Sequence, residues 1–415
     1  MRSRAVSEHW RVESRDLTVE DFFRDLPDTP FVFFYGEGRW LMLAEDPLTE
    51  ADGVAFDFER RGSLPPILPD LFGHVTFEYG YGLDPALTVP RAVNDGLPER
   101  RFQLHRRLRL YDRHERKLYF AERHAERTLE PLRHRLGQGA FSATKLRDSD
   151  SAAAYEAKVA RIREEIARGN VYQVNLTRQE EWRVTGDIAA FAQRLHHLNA
   201  APYSALVADT KGSIVSSSPE CFFRIENGWL RTRPIKGTAP RSADPSEDVR
   251  WREELKASPK NLSELAMIVD LLRNDLTRVC VIPSVRVNAF PLLESYANVH
   301  HLVADLAGTL PTGTSLDDVL TALFPGGSIT GCPKLAAMAL IQELEVWPRR
   351  IYTGALGWCR ADFTQGEFAI PIRTAWVLGD RLRFGVGGGV VWDSNPREEY
   401  EETLHKGRSL VQCLS

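Results

Sequence analysis

The sequence lacks the features that would place it in a membrane or in an oxidising compartment. Its five cysteines are scattered and form no CxxC pair, which indicates reduced thiols in a cytoplasmic protein. No stretch approaches the roughly 20 apolar residues of a membrane-spanning helix. The N-terminal stretch MRSRAVSEHWRVESRD has no apolar core, so we expect no signal peptide. The formal net charge of −4 gives no general attraction to nucleic acid or to an anionic membrane, and we expect neither as a partner.

What the chain does contain is enough apolar material for a large core, since hydrophobic residues make up 43% of it. The arginine-rich segment 100–137 could bind nucleic acid, but its apolar residues alternate with charged ones as in half-buried strands. Residues 137–154 are small and polar and are the best linker candidate. We therefore distinguish an amino-terminal region, residues 1–136, from a region of residues 150–415, and expect the two to fold as one unit.

Strand patterns and helix patterns are grouped along the chain rather than strictly alternating, which favours an α+β fold. A helix is predicted to begin at Asp150 or Ser151 and to end at Gly169-Asn170. The stretch VYQVNLTRQEEW (171–182) alternates apolar and polar residues and predicts a strand. Further helices are predicted at 257–276, 314–324, 333–345 and 395–414, and further strand-like runs include 31–36, 40–47, 74–82 and FAIPIRTAWVLG (368–379).

Acidic residues recur on two of these predicted helices. In residues 257–276 an apolar stripe leaves Glu264 on a different line of the helix surface, and in residues 395–414 Glu399 and Glu402 stand one turn apart. On exposed helices these would be solvated carboxylates, with Glu402 and Lys406 forming an ordinary i,i+4 pair. If both helices faced one cavity, the same carboxylates could bind Mg²⁺, which takes one or two carboxylates and leaves positions for water and substrate.

Three further patterns each have more than one interpretation. Lys236 lies in RPIKGTAPR, where it could be a solvated loop charge, a salt-bridge partner or a nucleophile. The successive glycines Gly387, Gly388 and Gly389 interrupt a strand pattern, which indicates a tight strand crossing or a carboxylate held against their amides. His301 follows His300 and is a general base or a structural histidine.

The order of the motifs along the chain supports a more specific interpretation. SSSPECFFRI, RPIKGTAPR, ELAMIVDLLRNDL, VHHLVADLAG, FPGGSITGCPK, YTGALGW, AIPIRTAWV and GVGGGVVWDSNPREEYEETLHKGRSL together closely resemble the chorismate-utilising enzymes. The resemblance is dense from about Tyr155 to Leu410 and fainter before residue 130. It implies one large domain of antiparallel β-sheets packed face to face with helices outside, as in anthranilate synthase component I.

Within that family, the resemblance singles out one branch. Lys236 stands where anthranilate and isochorismate synthases usually carry alanine, and a lysine in PIKGT is typical of aminodeoxychorismate synthase component I. Ser328, where anthranilate synthases usually have threonine, agrees with that branch. The branch converts chorismate and ammonia to 4-amino-4-deoxychorismate, for 4-aminobenzoate and folate synthesis, through a covalent adduct on the lysine.

The resemblance also implies roles for individual residues. The implied catalytic residues are Lys236 as nucleophile, Glu220 as acid, and His301, Ser328 and Lys406 around the ring. The implied substrate-binding residues are Thr238, Tyr352, Arg373, Gly387, Gly388 and Gly389. Mg²⁺ would be bound by Glu264, Glu402 and Glu399, with Asn261 one turn before Glu264.

The family also implies partners and alternatives. We expect a separate glutamine amidotransferase subunit to supply ammonia, because the sequence shows no glutaminase module, and we expect the product to keep its pyruvyl group. A tryptophan-binding serine motif is not evident near residues 30–50. The alternatives are anthranilate synthase component I and, from a different class, a catalytically idle binding subunit.

Overall fold

The computed structural model describes residues 3–36, 38–51, 55–90, 93, 95–130, 133, 137, 139–295 and 299–415. The strands are β1 Ser3–Ser14, β2 Phe31–Gly36, β3 Trp40–Glu50, β4 Ala55–Gly62, β5 Leu71–Val75, β6 Arg100–Asp112, β7 Lys117–His124, β8 Ser142–Asp148, β9 Gln173–Thr185, β10 Tyr203–Ala208, β11 Gly212–Ser218, β12 Cys221–Glu226, β13 Trp229–Arg233, β14 Ile235–Pro240, β15 Arg286–Ser295, β16 Val299–Thr309, β17 Gly331–Cys332, β18 Ala355–Cys359, β19 Gln365–Ala369, β20 Thr374–Leu378 and β21 Arg381–Val390. The α-helices are α1 Val19–Arg24, α2 Ala152–Ala167, α3 Ile188–Leu198, α4 Pro245–Ala257, α5 Pro259–Thr277, α6 Leu316–Leu323, α7 Lys334–Leu344 and α8 Pro396–Leu414.

The strands form one continuous, almost entirely antiparallel sheet that branches at the long strand β6. One arm runs from β6 through β3, β2, β10, β11, β20, β21 and β9 to β8. The other runs from β6 through β5, β18, β19, β12 and β13 to β16, which also pairs with β14 and β15. Strands from residues 1–136 and from residues 150–415 therefore pair directly with each other, as in β2 with β10 and β5 with β18.

The two arms face each other across a buried aromatic layer. Phe34 and Trp376 come from one arm, Phe72 and Trp358 from the other, and all four belong to one apolar cluster. Helices cover the outer faces. Helices α1, α3 and α8 pack on the first arm and share one apolar cluster with it. Helices α2, α5, α6 and α7 share a separate apolar cluster, to which strands such as β12 and β16 contribute. The predicted α+β architecture of face-to-face antiparallel sheets with helices outside is confirmed.

Helix ends follow the expected chemistry at several positions. Ser151 caps α2 by accepting a hydrogen bond from the amide of Ala154, as predicted from the sequence. Helix α5 begins two residues later than predicted, because Ser258 caps it through the amide of Asn261 and Pro259 takes its first turn. The apolar stripe of α5 is buried.

Four details differ from the sequence predictions. The run 74–82 is a strand only as far as Val75. Residues 77–82 form a 3₁₀ helix and do not continue the strand pairing of the sheet. The predicted linker 137–154 contains β8, which pairs with β9 and is therefore part of the sheet. FAIPIRTAWVLG is two strands, because Pro371 has no N–H to donate and Arg373 has a φ of +51°. Helices α1, α3 and α4 were not predicted.

The arginine-rich segment is structural. Residues 100–124 of it form the hairpin β6–β7, and several arginines are paired with carboxylates, for example Arg109 with Glu45 at 2.9 Å and Arg106 with Glu122 at 3.1 Å. These pairs neutralise charge that a nucleic-acid site would need. In the described part of the chain, no helix is both long enough and apolar enough to cross a bilayer.

Candidate active site

A cavity of about 560 Å³ lies where β14, β16 and β21 meet α5 and α8. It is lined by Glu220, Lys236, Thr238, Glu264, His301, Ser328, Tyr352, Arg373, Gly387, Gly389, Glu399, Glu402 and Lys406. Thirteen of the fourteen predicted site residues therefore share one cavity; Gly388 lies just behind the wall, where a Cβ would come within 3.3 Å of the Glu399 and Glu402 carboxylates. The structure brings together residues that are up to 186 positions apart in the chain, from Glu220 to Lys406.

A β-bulge in β14 presents Lys236 to the cavity. The pairing of β14 with β16 shifts between Lys236 and Thr238, so Gly237 is the extra residue. Gly237 has a φ of +74°, and a Cβ there would lie 2.9 Å from Cγ of Asn261. Only glycine meets both requirements without strain. The Lys-Gly-Thr sequence therefore has a structural reason: the glycine makes the bulge that aims the lysine.

The environment of Lys236 favours its neutral form. Burial lowers the pKa of the Lys236 amine, and the charge of Lys406 acts in the same direction, while Glu220, Glu264 and Glu402 oppose the shift. The net result is a pKa below the ordinary value of a lysine. A neutral amine is the form that can act as a nucleophile.

Glu220 is a buried carboxyl group held by a hydroxyl. Its side chain is only 6% exposed, and Oε1 accepts a hydrogen bond from Oγ of Ser328 at 2.5 Å. Burial raises the pKa of Glu220, against the opposing effects of Ser328 and the amines of Lys236 and Lys406. A carboxyl group with a raised pKa next to an amine with a lowered pKa is the combination expected of an acid and a nucleophile that act together.

Carboxylates of helices α5 and α8 line another part of the cavity. Oε1 of Glu402 lies 2.6 Å from Nζ of Lys406, which also donates to the carbonyl of Gly387 at 3.0 Å. Burial raises the pKa of Glu399, and the nearby charge of Glu402 adds to that effect, although Ser394 donates a hydrogen bond to Glu399 at 2.6 Å. Burial alone would raise the pKa of Glu402, but the charges of Lys406, Lys260 and Lys236 hold it below its usual value. The i,i+4 pair predicted for an exposed helix thus exists, but at the edge of a cavity.

These carboxylates suit an open divalent-cation site. Among the described residues, no three His, Cys, Asp or Glu side chains are grouped closely enough to enclose a metal ion. An enclosed group is not what Mg²⁺ requires, because it is commonly held by one or two carboxylates and completes its shell with water or substrate oxygens. Glu264 on α5 and Glu402 on α8 line the same space, and the repulsion between Glu399 and Glu402 is of the kind that a cation relieves. The donor set therefore fits Mg²⁺.

A second polar group in the cavity is cationic and suits an anion. Among the described residues, Arg373 has no carboxylate partner; its Nη1 donates to Oδ1 of Asn199 at 2.9 Å, and burial lowers its pKa. Tyr352 is 5% exposed and burial raises its pKa to about 12, so its hydroxyl stays protonated. Nδ1 of His301 lies 2.9 Å from Oγ1 of Thr238. Burial, together with the charge of Arg373, lowers the pKa of His301 to about 4. His301 is therefore neutral at physiological pH.

The glycine run serves the packing of β21 on β9. A Cβ on Gly387 would lie 2.3 Å from the carbonyl of Leu176, and one on Gly389 would lie 2.4 Å from Nε2 of Gln173. Both glycines also line the cavity. The two interpretations of this run are thus compatible: close strand packing requires the glycines, and their lack of side chains opens the main chain to the cavity.

Sequence reasoning missed some cavity residues. Asn175 and Lys260 line the cavity, and Asn199 supports Arg373 from behind. The available signal for Asn175 was the alternation of apolar and polar residues in β9, which predicted a strand and not a site. The polar face of that strand is buried, since Gln173, Asn175 and Thr177 are each at most 9% exposed, and Asn175 lines the cavity.

Comparison with known proteins agrees with this geometry. Residues 29–412 match the family described as chorismate binding enzyme. The chain belongs to that family. This chorismate-binding enzyme is 33% identical to anthranilate synthase component 1 of Saccharolobus solfataricus, over 92% of its own length and 89% of the relative. It is 41% identical to aminodeoxychorismate synthase component 1 of Salmonella typhimurium, over 63% of its own length and 57% of that protein.

Solved structures share the fold of this chorismate-binding enzyme. The menaquinone-specific isochorismate synthase from Escherichia coli superposes with a TM-score of 0.76 at 18% identity, covering 100% of this chain and 96% of that one. Anthranilate synthase component I from Streptococcus pneumoniae has a TM-score of 0.73 at 23% identity, covering 97% and 92%. Proteins named for different reactions thus share one architecture with this chain.

Proposed function

We propose that this enzyme is an aminodeoxychorismate synthase component 1, which converts chorismate and ammonia to 4-amino-4-deoxychorismate. The observation that supports it is Lys236, a cavity lysine with a lowered pKa that interacts with the buried acid Glu220. A relative with that name is 41% identical over 260 residues. Anthranilate synthase component 1 is the alternative, because a relative with that name is 40% identical over 276 residues.

Chorismate carries two carboxylates, and the cavity offers a separate group for each. We assign the enolpyruvyl carboxylate to Arg373, Tyr352 and the main chain of Gly387–Gly389, where a buried guanidinium would gain an anionic partner. We assign the ring carboxylate to the acidic part of the cavity. There Glu264 and Glu402 would hold Mg²⁺, with Glu399 beside Glu402, and the bound ion would supply the positive charge that lets a carboxylate approach other carboxylates.

The covalent step uses Lys236 and Glu220. The neutral amine of Lys236 forms a bond to C2 of chorismate, the ring double bonds shift, and the C4–O bond breaks. Glu220 donates its proton, so the hydroxyl leaves as water. The amine of the adduct loses its surplus proton to Glu220 or to solvent. Ammonia then bonds to C4, the double bonds shift back and the C2–N bond to Lys236 breaks. Glu220 or solvent gives the departing nitrogen a proton and takes up the surplus proton of the new C4 amine, which restores the free lysine.

Ammonia would come from a separate amidotransferase subunit that hydrolyses glutamine. The enolpyruvyl group does not take part in either bond exchange, so the product retains it, and another enzyme must remove pyruvate to form 4-aminobenzoate for folate. In an enzyme without the lysine, a nucleophile that enters at C2 stays there. This is why one side chain separates the proposed reaction from anthranilate synthesis.

Product analysis tests the proposal directly. The enzyme is incubated with chorismate, Mg²⁺ and an ammonium salt; we expect a non-fluorescent amino product that a lyase converts to 4-aminobenzoate. Fluorescent anthranilate with released pyruvate would instead assign the enzyme to the alternative reaction. No turnover of chorismate, with binding retained, would indicate an idle binding subunit.

The role of Lys236 has a separate test. With ammonia withheld, intact-mass measurement should show an adduct of one chorismate less one water on the wild type. Lys236→Ala should show neither adduct nor product, whereas Lys256→Ala, which changes an exposed lysine on α4, should show both. Amino product from Lys236→Ala at the wild-type rate would exclude the covalent route.

A further inference from the structure

A buried ion pair lies behind the cavity wall without lining the cavity. Glu345 follows the last residue of α7, and Arg349 is four residues further on. Nη2 and Nε of Arg349 donate to the two carboxylate oxygens of Glu345 at 2.6 and 2.8 Å, and both side chains are at most 5% exposed. The planar fork of arginine makes such a two-point contact possible, and lysine cannot reproduce it.

The pair is bonded to the main chain of two separate segments, the turn at Ile329 and strand β9. Arg349 donates to the carbonyl of Ile329 at 2.9 Å and to the carbonyl of Asn175 at 2.7 Å. Glu345 accepts from the amide of Thr177 at 2.9 Å. Because these partners are backbone atoms, the ion pair restrains the path of the main chain at these residues, whatever side chains they carry.

Each of these segments carries a group of the proposed active site. Ile329 follows Ser328, the hydroxyl that donates to Glu220. Asn175 itself lines the cavity. Thr177 is the cross-strand neighbour of Gly387, whose Cβ position lies 2.8 Å from the Thr177 hydroxyl. The ion pair thus connects the Ser328 turn to the strand that supports the glycine run.

We propose that Glu345 and Arg349 are positioning residues that hold the Ser328 turn so that its hydroxyl bonds to Glu220. The inference depends on the proposed function only in taking Glu220 as the proton donor. The Ser328 turn is a 3₁₀ turn of three residues, Gly327–Ile329, with no side-chain cap. Arg349 holds it from outside through the Ile329 carbonyl, and the amide of Asn175, whose own carbonyl also accepts from Arg349, bonds to the Thr330 carbonyl just beyond it at 2.8 Å. The Ser328–Glu220 contact of 2.5 Å leaves little room for displacement of that turn.

The test is a double-mutant cycle on chorismate consumption. Arg349→Lys keeps the buried charge and removes the fork, and Ser328→Ala removes the hydrogen bond itself. A misplacement of the order of 1 Å can cost about 10²-fold in rate, so we expect Arg349→Lys to lower kcat by about 10- to 100-fold with KM changed less than about threefold. In the Ser328→Ala background the same substitution should have little further effect, because the contact it acts on is already lost.

The neighbouring arginine provides the matched control. Arg350 is fully buried and paired with Asp95 at 2.7 Å, but the side chain's partners, Glu78, Asp95 and Leu97, do not line the cavity. Arg350→Lys should lower thermal stability without the selective loss of kcat. If Arg349→Lys does not fold, Glu345→Asp, which keeps the charge and withdraws the carboxylate, takes its place in the cycle.

Three results would overturn the inference. Ser328→Ala with wild-type kcat would show that the bond does not matter. Equal losses from Arg349→Lys in the wild-type and Ser328→Ala backgrounds would show that the ion pair acts by another route. Equal kcat losses from Arg349→Lys and Arg350→Lys would indicate a general effect on the fold. A wild type that does not consume chorismate would refute the proposed function instead, so the two failures are distinguishable.

Discussion

Gly237 is the position where a single methyl group should affect both the fold and the nucleophile. Gly237→Ala places a Cβ 2.9 Å from Cγ of Asn261 and 3.0 Å from Cδ1 of Leu255. It also forces an L-residue to a φ of +74°, which costs about 1–2 kcal/mol. Relieving the contacts by moving packed neighbours typically costs a further 1–3 kcal/mol or so. We therefore expect Gly237→Ala to lower the free energy of unfolding by about 2–5 kcal/mol.

A second glycine separates the two contributions. Gly228, in the turn between β12 and β13, has a φ of +79°, and a Cβ there would meet no atom within 4 Å. Gly228→Ala therefore measures the backbone cost alone, about 1–2 kcal/mol. The difference between the two variants in urea unfolding isolates the contacts with Asn261 and Leu255.

Activity provides the second readout of the same perturbation. The bulge at Gly237 aims Lys236, so Gly237→Ala should also reduce formation of the lysine adduct, while Gly228→Ala should leave it unchanged. Equal destabilisation by the two variants, or full adduct formation by Gly237→Ala, would refute the argument that this glycine is needed to position the lysine.

Three other predictions use buried charges. Lys334→Met leaves the carboxylate of Asp275 buried without its 2.8 Å partner, and urea unfolding should show a loss of about 3–5 kcal/mol; a loss below 1 kcal/mol would contradict this. Because the folded-state pKa of Glu220 is raised, Glu220→Gln should be more stable than the wild type at neutral pH. This gain in the free energy of unfolding should disappear as the pH falls to the unfolded-state pKa of 4.5, and a gain that does not change with pH would contradict the prediction. Mg²⁺ alone should raise the Tm of the wild type and of Glu401→Gln, which changes an exposed glutamate and serves as the control. The rise in Tm should be smaller for Glu402→Gln, and equal rises in all three proteins would place the ion elsewhere.

The elements that could be predicted from sequence are those with strong local periodicity. Helices α2, α6, α7 and α8 were predicted to within a few residues, because apolar spacing, caps and a following glycine or proline agree there. Helix α4 was not, since Leu255 is its only buried apolar residue and its sequence is mostly charged. Strand β8 was mistaken for a linker, because small polar residues at a sheet edge look like those of a loop.

For the candidate site, the order of the motifs along the chain predicted which residues form the site but not which residues surround them. Asp275 belongs to a predicted surface helix, yet it is 1% exposed and bound to Lys334. Glu345 and Arg349 have no motif of their own, and their importance lies in bonds to Ile329 and Asn175, which are distant in the chain. Such contacts depend on how β9 and α7 pack, and no local pattern records that.

The sequence by itself determined the α+β class, the family and the chemical inventory: one lysine before a glycine, paired carboxylates on two helices and a run of glycines. Those properties depend on residue identity and local spacing, which the chain carries in any conformation. Only the tertiary structure decided that Lys236 and Glu220 share a cavity and that their pKa values shift in opposite directions. Burial penalises whichever form of a group is charged, so the pKa of the lysine falls and that of the glutamate rises only when the sheet closes around them.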